Sequence, residues 1–309
     1  MKFFGQINKI QKIRKITQIM KLEELLKTRL NFKSVKATNY RRGGDISSGQ
    51  TYLVDNDQKI FVKSNAGRNA KLMFEGELAS LQAIENTKTI KVPKPYGVLQ
   101  DGDTHYIVME HLDLGYGSCQ AKLGTDLAQM HLNNLQKEDH PGYVSRFGFD
   151  RPTCCGSIAQ SNTWTDTWVG FYTAKLQEQI DLLTQNDADV NKYWPKLKEK
   201  IPIYFDDITV RPSLLHGDLW SGNAGSVGSE PVIYDAASFY GHHAYDLGIA
   251  GMFGGFGPAF YSAYHDLIPK EQGFEKRHLL YQLFHHLNHW NHFGSGYRSG
   301  SISIMKQLI

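Results

Sequence analysis

The sequence predicts an α+β chain of two lobes, a small β-rich lobe followed by a larger helical one. Three observations carry this reading. Up to residue 110 the patterning is mostly strand with one helix; beyond it helical periods dominate; and no internal repeat or low-complexity tract interrupts either part. The expected boundaries are a basic extension at 1–21, an N-lobe at 22–110 and a C-lobe at 111–309. With 309 residues, 41% of them hydrophobic, the chain can bury a substantial core, and a charged fraction of 21% rules out wholesale disorder.

Taken in order, residues 41–50 form a glycine-bearing loop, and 51–63 read as two β-rich runs around the polar turn Asp55-Asn56-Asp57. Between 68 and 86, Leu72, Leu78, Leu81 and Ile84 follow helical spacing until Pro93 and Pro95 stop the pattern. A second hairpin, 96–100 and 104–110, turns at Asp101-Gly102-Asp103. Helices are expected near 120–133, 163–184, 191–200, 244–256 and 274–293, with a long loop at 136–162 and a short strand at 231–235. A cleft between two such lobes is a favoured place for a small-molecule site.

Charge excludes some functions. The net charge is +3, but Lys2, Lys9, Lys12, Arg14, Lys15 and Lys21 sit in a leading segment without acids. The remaining 28 basic residues face 31 acidic ones. A mildly acidic body argues against a nucleic-acid groove, which needs clustered bases. Ile7, Ile10, Ile13, Ile16 and Met20 recur at helical spacing among those lysines. The pattern suits a membrane-surface helix or, as preferred here, a loosely docked leader with Met20 as an alternative start. Lysines interrupt any apolar run, so no secretory signal is read. The uncharged window 247–264 holds five glycines and Pro258 and makes a poor spanning helix. Three cysteines without framework spacing suit a reducing cytoplasm. A soluble, cytoplasmic monomer is therefore expected, with neither nucleic acid nor membrane as partner.

The chemistry concentrates in Leu214-Leu215-His216-Gly217-Asp218-Leu219-Trp220-Ser221-Gly222-Asn223, followed by Val232-Ile233-Tyr234-Asp235. An aspartate, an asparagine five residues on and a second aspartate ending a strand make a phosphoryl-transfer constellation. The transferred group carries diffuse negative charge, so hard divalent cations, Mg2+ above all, must neutralise it through carboxylate and amide oxygens. Asn223 and Asp235 suit that task, leaving Asp218 free of metal to accept the proton of an alcohol. The bland alternative is a turn rich in Asp, Asn and Gly. Order along the chain decides against it. The glycine-bearing loop, with Ser48 and Gly49, comes first; then the strand Ile60-Phe61-Val62-Lys63; then a helix carrying Glu77. In the protein-kinase-like design such a lysine contacts the ATP phosphates and the glutamate holds it in place. Glu75 competes for that role; Glu77 is preferred because it lies nearer the packed helix face. Met109, Glu110 and Leu112 fall where the lobes join, and their backbone groups suit adenine.

Phe74-Glu75-Gly76-Glu77, Thr153-Cys154-Cys155-Gly156, residues 215–223, the run from Asp235 to His242, Gly251-Met252-Phe253-Gly254-Gly255-Phe256 and Leu287-Asn288-His289-Trp290-Asn291-His292-Phe293 resemble the fructosamine-3-kinase (ketosamine-3-kinase) family. That family is an aminoglycoside-phosphotransferase-like branch of the protein-kinase fold, and the resemblance runs from about residue 22 to the C-terminus. It implies ATP-dependent phosphorylation of the C3 hydroxyl of ketosamines, either small molecules or glycated protein lysines. The phosphate is then a leaving group α to the C2 carbonyl, and the adduct breaks down to free amine and a deoxyosone. By the same match Asp218 is the general base, Asn223 and Asp235 hold metal, Lys63 and Glu77 position phosphates, and Trp220 flanks the sugar. The alternative is a kinase of this fold acting on another alcohol, such as an aminoglycoside or choline. Two departures stand out: Asp45 where several members carry a cysteine able to pair between chains, and Asp235-Ala236-Ala237-Ser238 where Asp-Pro-Ala-Ser is usual.

His285, His289 and His292, at i, i+4 and i+7, present three imidazoles along one helix. No Glu or Cys is expected nearby to complete a zinc site, so a polar face lining the acceptor pocket or packing in the helical lobe, with His289 and Trp290 on the substrate side, is preferred. Cys154 and Cys155 have only Arg151 nearby and are read as buried thiols.

Overall fold

A computed structural model of the chain describes residues 21–43, 46–115, 119–183 and 187–309. The patterned segment 1–20 and Asp45 lie outside the described residues. Helix α1 (Leu22–Leu30) precedes strands β1 (Val35–Gly43), β2 (Ser48–Val54) and β3 (Gln58–Asn65), then α2 (Ala70–Thr87), β4 (Pro95–Asp101) and β5 (Thr104–Glu110). The five strands form one antiparallel sheet in the order β1-β2-β3-β5-β4. Alternation sets its faces. Tyr52, Val54, Ile60, Val62 and Val108 pack one side together with Leu26 of α1, while Ile107 and Met109 face α2.

The helical part holds α3 (Gln120–Asn133), the short hairpin β6 (Thr153–Cys155) and β7 (Ile158–Gln160), α4 (Trp168–Leu182) and α5 (Ala188–Lys200). Then follow β8 (Ser213–Leu214), β9 (Ala224–Val227), β10 (Glu230–Ile233), β11 (Tyr240–Gly241), α6 (Ala244–Ala250), α7 (Pro258–Leu267), α8 (Phe274–Phe293) and α9 (Arg298–Leu308). Its core is aromatic: Trp168, Tyr172, Tyr245 and Tyr281 pack ring on ring, and Trp168 Nε1 donates to Tyr281 Oη at 3.1 Å. This core is continuous with Phe74, Leu81 and Ile84 of α2. Among the described residues no helix is long and apolar enough to cross a membrane.

Several expected elements differ. The loop expected over 136–162 contains β6 and β7, whose three-residue strands are too short to show a period. The helix expected to 256 stops at Ala250, because Gly251 caps it and Gly254 and Gly255 take positive φ before Pro258 opens α7. Helix α4 starts at Trp168 rather than 163, where the Thr167 hydroxyl accepts from Gly170 N at 3.2 Å.

Candidate active site

Where the two parts meet, a cleft of about 520 Å³ is lined by Gly49, Lys63, Glu77, Met109, Glu110, Leu112, Asp218, Trp220, Asn223 and Asp235, among others. Strand β3 carries Lys63 opposite Gly49 of β2 and Ile107 of β5. Helix α2 presents Glu77, whose Oε1 accepts from Lys63 Nζ at 2.5 Å; Glu75 points away and lies 3.9 Å from Lys71 on the surface. The same ammonium donates to Asp235 from the other lobe. Burial alone would pull the Lys63 ammonium down, but Asp235 and Glu77 outweigh it and its pKa is raised. Burial raises Glu77 against the counter-pull of Lys63.

Helix α2 seats Glu77 because it is pressed onto the helical part. A Cβ at Gly76 would stand 2.7 Å from the Pro152 carbonyl oxygen, so only glycine permits this approach. One turn on, Ser80 Oγ accepts from Ser238 N at 2.9 Å.

The aspartate loop is held from below. Asp246 of α6, fully buried, accepts from His216 N at 2.7 Å and Gly217 N at 2.8 Å, and its Oδ2 lies 3.1 Å from His131 Nε2. Burial pushes the Asp246 carboxyl up, yet these partners outweigh it and the net direction is down. The His216 ring links Tyr234 O, at 2.9 Å, with Asp218 N, at 3.2 Å. Gly217 takes φ +86°, and a Cβ there would meet Ala237 O at 2.1 Å. Sequence reasoning passed over Asp246 and His131. The only available signal was an isolated acid beside the uncharged window 247–264, which demands a partner once buried.

Asp218 is half-buried, and burial pushes its carboxyl up to about 7, raised further by Asp235 and Asp246. Asn223 Nδ2 donates to the Asp218 carbonyl oxygen at 2.9 Å and approaches its Oδ2 at 3.5 Å. Asp235 stands just after β10 with φ +61°, a left-handed conformation that an aspartate tolerates better than most residues. The Trp220 ring lies over Gly222 and meets Phe253 edge-on at 5.9 Å.

At the lobe junction the Glu110 carboxylate accepts from Lys94 N at 3.2 Å and lies 3.5 Å from Lys91 Nζ, while Met109 is buried between β3 and α2. Three expected residues stand outside the cleft lining. Ser48 pairs its hydroxyl with that of Ser64 at 2.8 Å. His289 sits between Phe253 and Tyr297, with Phe253 standing between it and Trp220 of the cleft. Trp290 packs against the helical core.

The three histidines of α8 do not converge. His292 Nε2 accepts from Ser157 N at 2.9 Å, and the His289 and His292 Nδ1 atoms donate to carbonyls one turn back. His285 turns inward toward Cys155 and Asp218, so a cysteine far away in sequence does come beside this helix. Cys155 is buried, as expected, whereas Cys154 is half-buried and borders the cleft.

The family model for fructosamine kinases matches residues 18–309. The chain belongs to that family. The ketosamine-3-kinase of Mus musculus is 50% identical over 308 residues, covering 93% of this chain and 99% of its own length. The chloroplastic protein-ribulosamine 3-kinase of Oryza sativa subsp. japonica is 44% identical over 274 residues, 86% of this chain and 77% of that protein. A thermostable aminoglycoside phosphotransferase mutant, solved with AMP-PNP and hygromycin B, superposes with a TM-score of 0.63 at 12% identity, covering 94% of this chain and 98% of that one. This last likeness places the family's two-part architecture in the kinase-like fold.

Proposed function

We propose that this protein phosphorylates the C3 hydroxyl of ketosamines with ATP, priming the glycation adduct for breakdown to free amine. One observation carries the reading: Lys63 and Glu77 from the β-rich part meet Asp218, Asn223 and Asp235 from the helical part across one cleft. Membership of a family whose relatives are named for ketosamines and ribulosamines supplies the acceptor class.

Asp218 receives the proton of the sugar hydroxyl; its removal from water makes it a stronger base than a surface carboxylate. The hydroxyl oxygen bonds to the γ-phosphorus as the bond to the bridging oxygen breaks, and ADP leaves. Lys63, braced by Glu77, faces the phosphates, and the backbone of Met109, Glu110 and Leu112 receives the adenine. The oxygens of Asn223 and Asp235 form a hard donor pair that fits Mg2+, which when bound neutralises phosphate charge. Asp246 fixes the backbone of His216 and Gly217, so Asp218 is presented without a reorganisation cost. Trp220 offers an exposed ring for the sugar or its amine substituent. Three free thiols are consistent with work in a reducing cytoplasm.

The test is a phosphorylation assay over ribulosamine, fructosamine and an aminoglycoside, with the product located by NMR. Phosphate on C3 of a ketosamine is expected. Turnover confined to the aminoglycoside would overturn the acceptor assignment.

A further inference from the structure

Behind the cleft wall, two side chains that phosphoryl transfer does not use stand against Asp218. One ligand atom each from Cys155 on β6, Asp218 on its loop and His285 on α8 lie within 4.8 Å of one another. His285 is fully buried, and among the described residues neither ring nitrogen has a hydrogen-bond partner. A buried imidazole whose ring packs against Tyr245 and Phe284 while its nitrogens stay unpaired calls for an explanation. Beside it, Asn288 Nδ2 donates to Cys155 Sγ at 3.3 Å. Burial and the neighbouring Asp218 carboxylate push the Cys155 thiol well up, with only the Lys175 ammonium acting the other way, so the site holds a thiol until a cation displaces its proton.

We propose that Cys155, Asp218 and His285 form an inhibitory site for a thiophilic divalent cation of the zinc class. The donor set is sulfur, nitrogen and carboxylate oxygen, which zinc and cobalt accept and magnesium disfavours. Zinc bonds of about 2.0–2.3 Å need ligand atoms roughly 3.3–3.8 Å apart, so a contraction of about 1 Å closes the site. On binding, the metal–sulfur bond replaces the thiol S–H bond and the proton leaves to solvent. A fourth position is left for water from the cleft, which Asp218 borders. A metal-bound Asp218 cannot take the proton of an alcohol, so turnover stops. The inhibition rests on Asp218 being the proton acceptor; the metal site does not.

The experiment titrates the nucleotide-free protein with Co2+ and follows absorption. A thiolate-to-cobalt charge-transfer band with tetrahedral ligand-field bands is expected. Cys155→Ser should abolish the charge-transfer band, Cys154→Ser should keep it, and His285→Gln should weaken affinity by about tenfold or more. In the kinase assay Zn2+ should inhibit reversibly, and Cys155→Ser, whatever its own rate, should need at least about tenfold more zinc. Thermal melts of each variant establish folding, and His285→Asn replaces any variant that fails. No charge-transfer band in the wild type, or a band surviving Cys155→Ser, overturns the proposal. A Cys155-dependent band without zinc inhibition keeps the site and overturns the base role of Asp218. A band in a protein inert toward ketosamines keeps the site and overturns the proposed function.

Discussion

Asp218 and Lys175 show what burial does to opposite charges. Burial lifts the Asp218 carboxyl and lowers the Lys175 ammonium to about 7. For Asp218, replacement by Asn removes the proposed proton acceptor while leaving the shape. Turnover should fall about 10²–10⁴-fold with nucleotide affinity changed little, as read by single-turnover kinetics and calorimetric titration. Lys175 is buried between the amide oxygens of Gln160 and Asn162, with its ammonium 4.2 Å from the Phe239 ring centre. Its folded-state pKa lies below the ordinary lysine value, so above about pH 7 the unfolded chain binds the extra proton. Stability should therefore rise with pH, and the cost is fully present below about 7. Between about pH 7 and pH 9 this is at most about 3 kcal/mol. Lys175→Met should flatten the rise in Tm over that interval. An unchanged slope would show that Lys175 is protonated in both states.

Local pattern and tertiary contact share control of the elements. Helix α2, the two N-terminal hairpins and α8 were legible because period and turn residues agree: the expected 68–86 is Ala70–Thr87, and 274–293 is Phe274–Phe293. Hairpin β6–β7, which delivers Cys155, was not, since three residues have no period and its place is set by Gly76 on α2. Close contact recurs between α3 and α7, where a Cβ at Gly124 would stand 2.1 Å from the Phe260 carbonyl oxygen. Backbone cannot yield there as a flexible side chain can. Gly124→Ala should cost about 1–3 kcal/mol in denaturant unfolding. A gain in stability, as expected of alanine in an unpacked helix, would mean the two helices separate freely.

For the whole molecule, the continuity of the core decides how the two lobes behave. Phe74, Leu81, Ile84, Ile107 and Met109 belong to the same buried cluster as Trp168, Tyr245 and Tyr281. Helix α2 is therefore shared between the parts, and unfolding should be one cooperative transition, with tryptophan fluorescence and far-UV circular dichroism coincident in urea. Separate midpoints would show that the sheet melts alone. The sequence by itself determined the candidate reacting groups and their order, because a motif such as His216-Gly217-Asp218 with Asn223 and Asp235 is local in the chain and its proposed chemistry follows from residue type. Tertiary structure alone decided that Asp246 supports the aspartate loop and that Cys155 and His285 stand together behind Asp218. The physical reason is that burial and pairing belong to residues far apart in sequence, whose spacing leaves no trace along it.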